Sequence, residues 1–581
     1  MMSEAQQSKN WWVYPDIPEE RSEALSAYPR FMRQILYNRG IGDAESAAMY
    51  LENRPVDEDP FKLIDMEAAV ERLLEAADRG EMVAVYGDYD VDGVTATALM
   101  VQVLQYLGIH AHRYIPNRFE EGYGLNQDAI QVLADSNVKV ILTVDCGIRS
   151  PREADFARSL GVDMIISDHH HPKHDLPEAV AVICPKRDGD PYTCKELSGV
   201  GLAYKIAEAV LQKHPVAGVQ AEDWLDLVAL GTVSDIVPLK GENRSLVKRG
   251  LDLIHKGKRL GVTKLLEIAR RDPGLVNASD IGYILGPRLN AAGRMDSALL
   301  SYRLLVSQDR EEVGGIVQKL ENQNSERQEL TRQLQAWVAD RMGSIEGRYL
   351  ISDFSLADFD YSSFTTKSGS GIMGLVASKL VENFYRPAII GTVEEDVIKA
   401  SCRSIPEFHI TQALDECADL LVRHGGHSAA AGFTVKIENR EALVERLQQI
   451  AERELSGIDL RHTLKADMEV NVDDLPPDVL AQLKGLEPTG MENPEARFIS
   501  RNVEIVDARK IGKDQNHLKF KVRFHGGTVD AVAWRQAAWM DAMPSHLDIF
   551  YSIEENNYNS KSVLQLNVRD MKPSSMAPGN V

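Results

Sequence analysis

Short apolar runs, each ending in an acid or an imidazole, recur through the first half of the chain. Met82-Val83-Ala84-Val85-Tyr86 leads into GDYDVDG, Val140-Ile141-Leu142-Thr143-Val144 into Asp145, and Met164-Ile165-Ile166-Ser167 into Asp168-His169-His170. Continuous runs of this length predict strands buried on both faces. Between them lie helical patterns, one opening at Asp65-Met66-Glu67 and stopping near Gly80, another beginning at Val94. Strand and helix alternate to about residue 240, which predicts βαβ units in a doubly wound, mostly parallel sheet. Such a sheet aligns the carboxyl ends of its strands on one rim, where ligands bind. Groups far apart in sequence would converge there.

Past that region the pattern changes. Residues 311–342 read as one polar, proline-free helix with charge on most faces, a solvent-bridging connector. A second α/β pattern runs from Tyr349-Leu350-Ile351 to a helix ending at Leu455. From about 460 the signal is all-β: Leu518, Phe520, Val522 and Phe524 alternate with Lys519, Lys521 and Arg523, one face apolar and one basic. A five-stranded barrel of the OB type is expected, open on one face to a nucleic-acid strand held by those three cations. The expected organisation is a helical extension (1–55), an acid-bearing α/β domain (56–305), a connecting helix (306–345), a smaller α/β domain (346–456), the barrel (457–572) and a disordered tail (573–581).

Composition narrows the classes. The chain has 581 residues, 44% hydrophobic and 26% charged, values ordinary for a multidomain globular protein. No apolar run approaches the roughly 18 residues that span a bilayer, so no membrane partner is expected. The start, MMSEAQQSKNWW, lacks the pattern of a secretory signal. Cys146, Cys184, Cys194, Cys402 and Cys417 form no CxxC pair and fit reduced thiols in a cytoplasm. A net charge of −22 argues against an indiscriminate nucleic-acid coat but leaves room for a local basic groove.

The acids themselves suggest chemistry. Asp88, Asp90 and Asp92 fall at alternate positions in one turn, and like charges gathered this closely require cations. Asp145 precedes Cys146-Gly147, and Asp235 ends the apolar stretch that begins at Ala229. Several carboxylates with one or two imidazoles suit two divalent ions about 3.5–4 Å apart. The mixed oxygen and nitrogen set favours Mn²⁺ or Fe²⁺ over a pure Mg²⁺ site, with Mn²⁺ preferred and Mg²⁺ possible, and the absence of a cysteine set argues against structural zinc. Phosphoester hydrolysis is the natural reaction of such a pair.

GDYDVDG, VDCGI, SDHHHP and LGTVSDIVPL resemble, in order, the four motifs of the DHH phosphoesterase superfamily. Within it the chain is most similar to the RecJ family of single-strand-specific exonucleases. Arg118 with EGYGL (121–125), GPRLNAAGRM (286–295) and GGHSAAAGF (425–433) carry that likeness, which spans about residues 50–570. The resemblance implies a metal shell of Asp88, Asp90, Asp92, Asp145, His169 and Asp235, with Asp145 and Asp235 bridging. It implies that His170 assists the transition state or ligates, and that Asp168 orients a histidine. By that resemblance Asp168, His169 and His170 would be the catalytic triplet.

Phosphate grips are expected from Arg118, Arg288, Asn290 and Arg294, because guanidinium matches phosphate with paired hydrogen bonds. Residues 371–378 (GIMGLVAS) and 399–404 (KASCRS) resemble family turns; Ser378 and Arg403 there, with His427, would seat a phosphate near the 5′ end, and Gly425 and Gly426 are expected among the nucleic-acid-binding residues. Gly369 stands where the family commonly has histidine, and Met491-Glu492 depart from its GxGNP turn. The resemblance implies a cytoplasmic, monomeric 5′-to-3′ exonuclease that releases mononucleotides from single-stranded DNA in repair and recombination. A single-strand-binding protein and a helicase are its candidate partners. The rival readings are a DHH enzyme for short oligonucleotides or cyclic dinucleotides, and a non-catalytic replication scaffold.

Overall fold

Burial of the run Met82–Gly87 makes it an inner strand of a five-stranded sheet. Across that sheet the strands are His110–Tyr114, Met82–Gly87, Val138–Val144, Asp163–Ser167 and Ala181–Ile183, all parallel. The chain leaves Met82–Gly87 for one edge, then returns past it to Val138–Val144. Winding therefore reverses between these two neighbours, which is where open α/β sheets bind ligands. Two apolar cores flank the sheet. One packs Val83, Val85 and Leu142 against helices Met66–Arg79, Val91–Tyr106 and Gly199–Lys213. The other packs Ala84, Tyr86 and Ile141 against Gln127–Asp135 and Pro151–Ser159.

The computed structural model describes residues 9–574, apart from 119, 123, 174, 346, 367, 368, 477, 525, 559 and 560. Tyr123 of the EGYGL loop, and the expected tail from 575 onward, lie outside the described residues. The chain forms two units, one of residues 55–460 with 490–492, the other of 1–54, 461–489 and 493–581.

In the first unit the smaller α/β domain is a mixed sheet ordered Leu421–Gly426, Ala430–Lys436, Val397–Arg403, Ala388–Glu394 and Ile351–Asp353. The first four strands are antiparallel and the last is parallel to its neighbour. The long helix runs Arg310–Met342 and corrects the expectation of a solvent-bridging connector. Val313, Ile316, Val317 and Leu320 join the core of the large sheet, whereas Leu330, Leu334 and Val338 join the core of the smaller domain. An apolar stripe at helical spacing runs its whole length, interrupted midway by buried Gln323 and Asn324. That polar interruption hid the stripe in the sequence.

In the second unit five strands close a barrel: Arg497–Ile511, His517–Phe524, Gly527–Ala533, Lys561–Pro573, His546–Tyr558, and back to the first. The N-terminal segment belongs to this unit and is not purely helical. Asn10–Val13 pairs in parallel with Thr463–Ala466, and Met32, Ile35 and Leu36 of helix Arg30–Asn38 enter the barrel's core. No described helix is long and apolar enough to cross a membrane.

Candidate metal centre

Asp88 and Asp145 follow directly on the two strands that flank the winding reversal. Asp145 takes φ +64, a left-handed turn that Asp tolerates, and its amide donates to the Ser167 carbonyl of the next strand at 3.0 Å. Asp90 caps helix Val91–Tyr106 by accepting from the amides of Asp92 and Gly93. Gly93 is required at this turn, since a Cβ there would lie 2.5 Å from the Asp88 nitrogen. Asp92 is seated from across the fold: the Gly199 and Val200 amides, at the start of helix Gly199–Lys213, donate to its two oxygens at 2.6 and 2.8 Å. A helix N-terminus is a good seat for a carboxylate.

Three groups of ligand atoms converge within 4.8 Å: Asp88, Asp90 and Asp145; Asp92, His169 and Asp235; and Asp145, His169 and His170. Shared members join them into one cage. His169 Nε2 lies 3.1 Å from Asp145, 3.5 Å from Asp235 and 4.0 Å from Asp92. Asp235 follows helix Leu225–Ser234, and the next residue, Ile236, is a β-branched side chain at φ +62 and 67% exposed. Such backbone strain clusters at functional sites.

Electrostatics show what the cage favours. Burial, then the charge of Asp90, pushes Asp88 far above the usual carboxylate range. Burial and the charges of Asp92, Asp90 and Asp235 do the same to Asp145. Asp235 is pushed up to about 9 by burial and by Asp92. Asp92 reaches only about 7, because the Val200 and Gly199 amides oppose burial and Asp90. Burial, and then His170, pulls His169 down to about 3, leaving a neutral imidazole. Asp88 Oδ1, Asp145 Oδ1 and His169 Nε2 are buried without hydrogen-bond partners. Orphaned acceptors on crowded carboxylates and a neutral imidazole fit divalent cations.

His170 is different. Its Nδ1 lies 2.7 Å from Asp168 Oδ1, and the same oxygen accepts from its backbone amide. The other Asp168 oxygen accepts from Ile148. Burial lowers His170, but the Asp168 hydrogen bond and charge outweigh it and the net shift is upward. Asp168 is held low, since the bond from His170 overcomes its own burial.

Beside the cage lies a group of guanidiniums. Helix Gly286–Met295 packs so closely on the metal loop that a Cβ at Gly293 would lie 2.7 Å from the Tyr89 carbonyl. It carries half-buried Asn290 and Arg294. Burial, with the cations Arg118, Arg327 and Arg403, pushes Arg294 down to about 9. Arg118 lies over the Tyr89 ring, 4.1 Å from its centroid. Gly374 makes room for Arg403, whose Nη2 would sit 2.7 Å from a Cβ. Among the described residues no ion pair engages Arg118, Arg294, Arg327 or Arg403, and half-buried cations gathered in this way favour an anion among them.

Other expected grips are otherwise engaged. Arg288 pairs with Glu321 through two nitrogens, at 2.6 and 3.2 Å, so its fork is turned to the long helix. Ser378 donates its hydroxyl to the Gly374 carbonyl one turn back. Gly425, Gly426 and His427 are exposed at the end of strand Leu421–Gly426. His427 lies 6.5 Å, ring to ring, from His171, next in chain to His170. A side chain at Gly369 would strike the Tyr361 hydroxyl, 2.5 Å from its Cβ, so a histidine has no room there. On the barrel, Lys519 pairs with Asp530 and Arg523 with Glu504. Sequence reading missed Gly199, Val200 and Arg327. The capping signal Ser198 before Gly199 was visible, but its meeting with Asp92 was not.

A carboxylate and imidazole cage at the switch point of a parallel sheet, flanked by guanidiniums, defines a metal-dependent phosphoesterase fold. Family models match the DHH family N-terminal domain over residues 82–232, the DHHA1 domain over 361–453 and the RecJ OB domain over 466–570. The single-stranded-DNA-specific exonuclease RecJ of Bacillus subtilis (strain 168) is 36% identical over 96% of this chain and 70% of its own length. The protein of the same name from Escherichia coli (strain K12) is 31% identical over 96% and 98%. Among solved structures, RecJ in complex with Mn²⁺ from Thermus thermophilus matches with a TM-score of 0.82 and 27% identity, covering 98% of this chain and 81% of that one. The chain belongs to the RecJ family.

Proposed function

We propose that this protein is a single-strand-specific DNA exonuclease that works from the 5′ end and releases 5′-mononucleotides by two-metal phosphodiester hydrolysis. The observation that carries this reading is the convergence of Asp88, Asp90, Asp92, Asp145, His169 and Asp235 on one small volume. Relatives named as single-stranded-DNA-specific exonucleases, and a related structure that holds Mn²⁺, support it.

Bound divalent cations supply charge stabilisation for an in-line displacement at phosphorus. The chain's own residues do the rest. Asp145, whose carboxylate belongs to two of the ligand groups, and Asp235 would bridge the two sites, while His169 would ligate one ion. Asp168 orients His170 through Nδ1 and favours its protonated form, which can offer the Nε2 proton to the departing oxygen. Arg118, Arg294 and Arg403, with Arg327 near enough to act on Arg294, take the phosphates on the 5′ side. Mn²⁺ is the preferred ion. The protein acts as a monomer in the cytoplasm, in DNA repair and recombination, on strands presented by a helicase or a single-strand-binding protein.

Digestion of 5′-labelled and 3′-labelled DNA and RNA, single-stranded and duplex, in Mn²⁺ tests this. Mononucleotides released first from the 5′ label of single-stranded DNA are expected, and Asp145→Asn should stop their release. Endonucleolytic products, equal attack on duplex, or near-normal turnover by Asp145→Asn would refute the reading.

A further inference from the structure

The basic face expected to hold DNA on the barrel is charge-balanced over much of its length. Lys519 pairs with Asp530 at 2.7 Å, and Arg523 with Glu504 at 3.2 Å. Lys521 stands in register with Asp507 on one side and Asp530 on the other. Cations already opposed by carboxylates release few counterions on meeting a phosphate chain, and so add little affinity.

The other end of the same face differs. Trp534 follows strand Gly527–Ala533 directly, and its side chain is 49% exposed. The ring does not swing freely. His517 meets it edge-on, with centroids 4.9 Å apart and planes at 76°. His517 is itself fixed, because its Nδ1 accepts the Arg535 amide at 3.0 Å. Arg535 turns the chain at φ +59, a conformation uncommon for a residue with a side chain. A Cβ on Gly512 would lie 2.9 Å from His517 Cδ2, so glycine lets the loop press against that imidazole. Arg509 is exposed on this face, in register with Lys519, and among the described residues no ion pair engages it. It stands two strands from Trp534, roughly 10 Å away by strand spacing.

We propose that Trp534, braced by His517, is a stacking platform for a base of single-stranded nucleic acid, with Arg509 taking an adjacent phosphate. Binding on the barrel then centres on this end and not on Lys519, Lys521 and Arg523. Aromatic stacking tolerates any base, as an enzyme that travels along a strand requires. The inference rests on the nuclease reading above.

The test is equilibrium binding of a fluorescent oligothymidylate to the full chain in chelator, where hydrolysis cannot proceed. Trp534→Ala should weaken binding about five- to a hundredfold, the range for loss of one stacked base. Trp534→Phe should restore most of it. The triple variant Lys519→Ala, Lys521→Ala, Arg523→Ala should lose less than Trp534→Ala. An unchanged thermal midpoint and unchanged Mn²⁺ uptake would show that the fold is intact. Wild-type affinity in Trp534→Ala, or a larger loss in the triple variant, would overturn the platform alone. A wild-type protein that neither binds nor degrades the strand would overturn the nuclease reading with it.

Discussion

Asp168 shows how one side chain divides the labour of its neighbours. It is buried, yet it stays ionised because the His170 ring, the His170 amide and the Ile148 amide all bond to it. The adjacent His169, pulled down by burial and by His170, stays neutral, as a ligand must. Two neighbouring imidazoles are thus shifted in opposite directions. Asp168→Asn should remove the support for the His170 proton while leaving the ligand cage in place. Turnover in saturating Mn²⁺ should fall about ten- to a hundredfold, the usual effect of losing an orienting partner. The alkaline limb of the pH–rate profile should move to lower pH, since His170 loses what holds its pKa up. A uniform fall with an unmoved limb would mean that Asp168 only supports the fold.

Among elements, helix Gly199–Lys213 has a role that its sequence does not announce. Its first two amides hold Asp92, and its first residue touches Asp145. A Cβ at Gly199 would lie 2.5 Å from the Asp145 Cβ. Gly199→Ala should therefore displace a ligand from more than fifty positions away, and Mn²⁺ affinity by calorimetry should drop at least about tenfold. Unchanged affinity would show that the strand end can yield. This site marks the limit of what the sequence made legible. Asp88, Asp145 and Asp168 were readable because each follows an apolar run, and parallel strands end on a common rim. Gly199, Val200 and Arg327 were not, because they act through tertiary contacts that no local pattern encodes. Helix Arg310–Met342 was readable as a helix, but the polar break at Gln323 and Asn324 concealed that it serves two cores. The alternation at 518–523 revealed a half-buried strand but not the acids opposite it.

For the molecule as a whole, gathering these acids sets stability against function. In the metal-free fold, Asp92 holds its proton to about pH 7 and Asp235 to about pH 9, whereas in an unfolded chain both release near 3.8. The folded state then binds more protons than the unfolded one, so stability falls as pH rises through that window. His169 works in the opposite sense but only below its ordinary value of 6.5, where the unfolded chain takes up a proton that the fold refuses. Between pH 6.5 and 9 the acids act unopposed. The thermal midpoint in chelator should drop across that range. Saturating Mn²⁺ binds the ionised carboxylates and should raise the midpoint more at the alkaline end than at the acid end. A gap between metal-bound and metal-free midpoints that is constant with pH would contradict this account.

The most direct test is anomalous diffraction at the manganese edge from crystals of the protein grown with Mn²⁺. Two peaks about 3.5–4 Å apart, enclosed by Asp88, Asp90, Asp92, Asp145, His169 and Asp235, are expected. Ordered manganese elsewhere, with those six side chains turned to separate partners and no peak between them, would contradict it.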